Sequence, residues 1–299
     1  MTHPARHILP LVLGLLLPLF QAGCDRPGPI ELRDGVAGAP TLELLNEAPS
    51  SALLGTRDID SSGMIQADPR AVFGEMMITG SVYDGLYLHR EASLARAVFF
   101  DRSSPVLNTR GDTIGYHAVD AGTITIDGQE LRKRDKRVAL HDAPGDTLVG
   151  VQYVLKSSSG GIEYTGGHAY QWRNPVTAFP SPIETALESP AAIRVTSPLP
   201  SEAVSLARNL RVTWDGGGAT VRIVISDPVT MEPIVKMRLR SNHGWAVIPR
   251  SILRLLPEGP GFVFTFSSER SAMMRADGFA DDIRVRATTS HSLYYQCTR

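Results

Sequence analysis

The residues that could do chemistry are few, and most sit in patterns with a simpler structural use. Asp58-Ile59-Asp60-Ser61-Ser62-Gly63 alternates oxygen-bearing side chains ahead of a turn-making glycine, as a loop that wraps a hard cation such as calcium would. The twelfth position counted from Asp58, where such a loop carries a bidentate glutamate, is Pro69, and Asp68 falls one residue early, so the expected reading is an acidic surface turn. The eight histidines make no zinc set. His141 and Asp142 are adjacent and on a strand would point to opposite faces. His168 follows Gly166-Gly167 beside Tyr170 and Trp172, which suits either the lining of a ligand cleft or a hydrogen-bonded edge residue. His243 near Trp245 and His291 near Tyr294-Tyr295 are scattered. Nucleophilic catalysis needs a serine or cysteine activated by a base and an orienting group. The chain has no strand, Gly-x-Ser-x-Gly, helix elbow, and Ser157 to Gly161 reads as a turn.

Arg132-Lys133-Arg134-Asp135-Lys136-Arg137 is the strongest charge cluster. It would attract anionic lipid, nucleic acid or an acidic partner, but its place after a strand-turn signal favours a solvated edge strand whose cations discourage aggregation. Arg110-Gly111-Asp112 is too short a string to carry a role. These readings assign no catalytic residue, no cofactor and no metal ligand.

The two cysteines are a different matter. A short, weakly basic start (His3, Arg6, His7) precedes an almost continuous apolar run from Ile8 to Phe20, which ends at Gln21-Ala22-Gly23-Cys24. The run is short for a bilayer span, which needs about 20 apolar residues, and fits the roughly 7 to 15 of a secretory signal. Ala22-Gly23-Cys24 resembles the bacterial lipobox, with Gln21 where that family usually carries leucine. The resemblance implies cleavage before Cys24, acylation of Cys24, and a body held at a membrane surface, since two acyl chains anchor where one does so marginally. Asp25 is similar to the residue that retains enteric lipoproteins in the inner membrane, a rule that varies among bacteria and leaves the membrane open. The alternative is an ordinary secretory signal, with Cys24 a thiol or paired with Cys297.

Thirty basic and 31 acidic residues nearly balance, which gives no reason to expect nucleic acid as a partner. Removal of the first 23 residues from 299 leaves 276, enough for one large or two ordinary domains with unstapled cores. Residues 25 to about 50 are rich in Pro, Gly, Ala and acids, as a spacer would be, with a short element at Leu42, Leu44 and Leu45. Beyond residue 70 the pattern is of short apolar runs and period-two alternation: 76–82, 83–88, 94–100, 123–126, 148–155 and 164–172. Asp127-Gly128 is a hairpin signal. Prolines at 175, 180, 182, 190, 198 and 200 suggest a boundary. Leu210, Val212 and Trp214 alternate with Arg211 and Thr213, Asp215-Gly216-Gly217-Gly218 provides a turn, and Val221, Ile223 and Ile225 return. Trp245 to Ile248, Phe262 to Phe266 and Ile283, Val285, Ala287 extend the pattern, with a helical turn at 251–256 stopped by Pro257.

Short strands with Gly/Pro turns predict a mainly β protein of antiparallel, immunoglobulin-like β-sandwiches, with one larger sandwich or an open barrel as the rival. The expected layout is a signal peptide over 1–23, a lipidated N-terminus and spacer over 24–69, a first β domain over 70–190 and a second β-sandwich over 191–299. The 122–128 and 210–217 elements resemble those of bacterial surface lipoproteins with tandem immunoglobulin-like domains, loosely across 90–299, and the resemblance carries over no site residue. The expected function is a noncatalytic, membrane-anchored lipoprotein of the bacterial cell envelope that binds, displays or assembles. Its partners would be the membrane through lipid on Cys24, and an envelope protein, peptide or glycan. Hydrolysis of an envelope polymer by dispersed loop residues and calcium-dependent adhesion are the alternatives.

Overall fold

In a strand, successive side chains point to opposite faces, so an alternating sequence must find an apolar layer for one face. The computed structural model shows how this chain does so; it describes residues 30–31, 40, 42–45, 72–107, 111, 113–139, 146–175, 182–257, 259–275 and 282–298. In chain order the strands are β1 (Ile30–Glu31), β2 (Leu42–Leu44), β3 (Gly74–Asp84), β4 (His89–Leu107), β5 (Thr113–Ala118), β6 (Thr125–Ile126), β7 (Gln129–Glu130), β8 (Arg132–Ala139) and β9 (Asp146–Lys156). There follow β10 (Ala169–Asn174), β11 (Ile183–Glu188), β12 (Ala191–Ser197), β13 (Val204–Ser205), β14 (Leu210–Gly217), β15 (Val221–Ser226), β16 (Pro233–Leu239) and β17 (Trp245–Ile248). A short helix, α1 (Arg250–Leu253), leads to β18 (Gly261–Arg275) and β19 (Asp282–Thr298).

Three sheets result. The main one has the order β1-β2-β16-β15-β18-β19-β3-β4-β9-β8, with β5 added on β4 and β13 on β19. It ends at β1 and β8 and is therefore open, not closed into a barrel. Its pairs are antiparallel except that β19 runs parallel to β3 and to β13. The small sheets are β11-β10-β6-β7 and β12-β14-β17.

Strand β19 explains the layering. Its odd-numbered residues Ile283, Val285 and Ala287 enter one core, Leu293 and Tyr295 enter another, and Thr289 and His291 lie between them on the same face. Both small sheets therefore lie on one face of the main sheet. The β12-β14-β17 sheet sets Ile193, Val212, Trp214, Ala246 and Ile248 against Ile223, Met237, Phe264 and Phe266. The β11-β10-β6-β7 sheet sets Ile126, Tyr170, Trp172 and Ile183 against Met76, Ile78, Ala97 and Phe99. Among the described residues the protein is thus a mainly antiparallel β-sandwich with two large cores on one continuous sheet, beside a small cluster of Val98, Phe100 and Ala118 on β4 and β5. Trp172 and Trp214 are almost wholly buried, one per core. Each aromatic removes roughly 150–250 Å² from water, about 4–6 kcal/mol at 25 cal/mol per Å². The main sheet takes strands from both sides of residue 190, and the β18–β19 hairpin serves both cores.

Several local expectations meet the structure directly. Asp127 and Gly128 both take positive φ, 49° and 77°, and join β6 to β7 in the expected two-residue hairpin. The amphipathic strand through Ile283, Val285 and Ala287 is β19, and α1 overlaps the helical turn expected at 251–256, beginning one residue earlier. Strand β3 continues unbroken through Gly80, and the turn begins only at Gly85. Strand β10 starts at Ala169, because Gly166-Gly167 forms a turn ahead of it.

The 210–225 segment differs more. The sequence suggests a hairpin, but β14 pairs with β12 and β17 while β15 pairs with β16 and β18 in the opposite sheet. The glycine run carries the chain across the sandwich. Gly216 has φ 75°, and a Cβ there would lie 2.0 Å from the Ala192 carbonyl oxygen, so only glycine passes this point. The Asn242 side chain donates to the Gly216 carbonyl at 2.8 Å and Ser268 Oγ accepts from the Gly218 N–H at 2.7 Å, which braces the crossing.

Candidate functional site

The most unusual surface feature is where the sandwich exposes its large apolar side chains. Register places the ends of several strands at one level: Asp84 pairs with Leu293, Leu293 with Phe264, and Phe264 with Ile225. The β3–β4 turn (85–88) and the β15–β16 turn (227–232) therefore project beyond the same end of the main sheet. They are separated by three strand spacings, about 14 Å. The loop after β12 joins them, since Tyr295 donates its hydroxyl to the Pro198 carbonyl at 2.7 Å. So does the connection from β17 to β18, because Ile248 pairs with Leu210 and Gly261 with Gln296 at that end.

Among the described residues, eleven large hydrophobics are exposed, and eight belong to this end: Leu86, Tyr87, Leu88, Leu199, Val229, Met231, Ile234 and Leu255. Leu107, Leu148 and Met273 lie elsewhere. Tyr87 is 100% exposed and Val229 87%, so these are projecting tips and not the margins of a core. Scattered exposed apolar residues are ordinary, whereas a concentration marks an interaction surface. The tips are held firmly. Asp227 accepts from the Val229 and Thr230 N–H groups at 2.8 Å each, and these bonds hold its carboxyl below the usual range. The Gly85 N–H donates to the Leu88 carbonyl at 2.8 Å to close the first turn.

Directly beneath the crown is a polar joint between the two cores. His291 is buried on β19. Its Nδ1 accepts from the Val195 N–H of β12 at 2.8 Å, so the proton must be on Nε2, which donates to Asp84 Oδ2 of β3 at 2.7 Å. Asp84 Oδ1 bonds His89 Nδ1 at 2.5 Å, His89 faces Glu91 of β4 at 3.6 Å, and Glu91 pairs with Arg194 of β12 at 2.7 Å. Burial pushes the His291 ring below its ordinary value against the pull of Asp84. Burial alone would raise the Asp84 carboxyl, but the hydrogen bonds from His89 and His291 outweigh it and hold the group low. With both ring nitrogens engaged, His291 cannot take a proton from a nucleophile while these bonds stand, so the arrangement clamps β12 to the main sheet. Thr289 Oγ1, accepting from the Ile193 N–H at 3.0 Å, repeats the clamp two residues away. Separation in sequence, over 200 residues between Asp84 and His291, leaves no motif by which this joint could be found.

The residues singled out from the sequence are not brought together. Cys24, Asp58 to Ile65, His141 and Asp142, and Arg110 and Asp112 lie outside the described residues. His168 is exposed, its Nε2 lies 2.9 Å from Asp127 Oδ2, and its ring meets Tyr170 edge-on at 4.7 Å. Asp127 also accepts from the Gln171 N–H, so His168 ties the β6–β7 turn to β10. His243 bonds Ser241 at 2.8 Å on the exposed Ser241–Gly244 turn. Ser157 to Ser159 form a 3-10 turn, and Ser157 Oγ accepts from the Ser93 N–H. The basic 132–137 run is the outer strand β8; Lys133 reaches Asp120 at 2.5 Å and, with the Gly122 N–H and the Tyr153 hydroxyl, brings that carboxyl down to about 2. Cys297 packs against the second core, where burial pushes its thiol up to about 11.

No protein-family model matches the chain, and no curated protein matches it. Among solved structures, fibronectin(III)-like modules of Clostridium thermocellum CbhA are similar at 13% identity, covering 75% of this chain and 94% of theirs, with a TM-score of 0.21. The human OSCAR ligand-binding domain is similar at 11% identity, covering 71% and 95%, with a TM-score of 0.19. Scores at this level transfer no property to the present chain, and the sandwich assignment rests on its own sheets.

Proposed function

We propose that the chain is a noncatalytic lipoprotein of the bacterial cell envelope, anchored through acylated Cys24, whose immunoglobulin-like sandwich body acts as a recognition module. The observation that supports recognition is the gathering of eight exposed apolar side chains at one end of the main sheet, seven on its loops and Ile234 at the start of β16. A rigid sandwich that carries its contact residues on terminal loops can bind without an enclosed cavity. The anchor reading is supported by the apolar run ending in Ala22-Gly23-Cys24. Mass spectrometry of the chain isolated from bacterial membranes tests it. The mature protein should begin at Cys24 and carry a diacylglyceryl group, and Cys24→Ser should release the processed chain or block its processing. An unmodified start at another residue would overturn the anchor.

A further inference from the structure

We infer that the surface recognised by the apolar crown is the lipid bilayer that holds the chain's own N-terminus; this rests on the anchored reading above. The first argument is the direction and length of the chain. Ile30 pairs with Leu44, and the same row passes through Met237, Ile223 and Phe266 to His291. Glu31 pairs with Glu43, one row further from the crown, so β1 runs away from the crown and its first residue, Ile30, is its crown-side end. The row of Tyr295, at the base of the crown, is four residues from that of His291, about 13 Å at 3.3 Å per residue. Cys24 precedes Ile30 by six residues, a reach of about 20 Å. That reach covers the crown level. It falls short of the opposite end, where the β18–β19 hairpin extends past the Met273–Arg284 row, more than 20 Å the other way.

The second argument is the chemistry of the tips. They stand apart from one another, so a flat, deformable surface can take them all, whereas a protein partner would need a separate pocket for each. Tyr87 offers an aromatic ring with a polar end, the side chain that favours a bilayer interface, and Leu88, Val229, Met231 and Leu255 are purely apolar. Arg90 at the start of β4, Arg250 of α1 and Arg254 just after it are exposed at this end, and they suit headgroup phosphates. Among the described residues, Glu202 and Glu232 are exposed carboxylates there and Glu91 beside Arg90 is paired with Arg194, while Asp227 is committed to its own turn.

The test uses the full chain in a Cys297→Ser background, reconstituted into phosphatidylethanolamine/phosphatidylglycerol vesicles with brominated acyl chains. An environment-sensitive dye is placed at Tyr87→Cys, Val229→Cys or, as the far-end control, Met273→Cys. Bromine should quench the dyes at 87 and 229 at least twofold more than the dye at 273. Equal quenching at the three positions would overturn the inference, as would equal exposure of all three to an aqueous quencher with the chain on the vesicles. Intact mass of the Cys297→Ser chain without an added cysteine separates the two failures: a start at diacylated Cys24 upholds the anchor reading, and any other start or an unmodified Cys24 shows that the anchor reading has failed.

Discussion

Replacing His291 with alanine should weaken the protein by an amount the structure allows to be worked out, and should also remove one component of its acid sensitivity. The substitution leaves the buried Val195 N–H without its acceptor, a loss of about 1–3 kcal/mol, and removes a hydrogen bond to a carboxylate, about 1.5–3 kcal/mol. Asp84 is partly open to water and recovers some of the second loss, so the expected total is about 3–4 kcal/mol. Urea unfolding at pH 8, followed by tryptophan fluorescence, should show this as a lower midpoint with an unchanged slope. The pH dependence has a definite sign. Burial lowers the native pKa of His291 below 6.5, so the unfolded chain takes up the proton first. The stability that depends on the neutral ring is whole above pH 6.5 and is lost as pH falls through the native value. One such proton contributes at most about 1.4 kcal/mol per pH unit. The groups facing the ring are Asp84 of β3, His89 and Glu91 of β4 and Arg194 of β12. The lowered carboxyl of Asp84 adds stability that is present above pH 3.8 and lost below it, so its loss lies at lower pH. The parent should lose stability more steeply than His291→Ala just below pH 6.5. A variant within 1 kcal/mol of the parent at pH 8, or identical slopes, would refute the clamp.

Two further outcomes follow from single positions. Gly216→Val should cost several kcal/mol, because a side chain there combines an unfavourable φ with a clash against the Ala192 carbonyl; circular dichroism melting would show it, and a melting temperature within a degree or two of the parent's would count against the proposed strand crossing. Asp120→Asn should lower stability by no more than about 1 kcal/mol, since this low carboxyl is half exposed and solvent screens its Lys133 pair. Its depressed native pKa makes that contribution present above pH 3.8 and lost as pH falls towards about 2, so parent and variant should converge in acid unfolding curves and separate above pH 4.

Strand-level structure was legible wherever a local physical rule operates. Asp127-Gly128 called its hairpin because those residues tolerate positive φ, and the alternation at 283–287 called a strand because only one face is apolar. Glycines misled at one place: Gly216 to Gly218 connect two sheets instead of closing a hairpin, and nothing within ten residues tells the two apart. The charged 132–137 run is the outer strand expected of it, although Lys136 is buried while its neighbours are exposed. The crown and its joint were illegible: Tyr87, Leu199, Val229 and Leu255 each look like an ordinary apolar residue near a turn.

The sequence by itself therefore determined the strand-rich character, the sharp turns and the apolar run before Cys24, because these depend on neighbours along the chain. Tertiary structure alone decided that β3 lies parallel to β19, that two cores share one sheet, that His291 meets Asp84 and that the exposed tips gather at one end. Those features depend on strand order and register between segments more than 200 residues apart, and side-chain alternation says which face is apolar without saying which strand will be its neighbour.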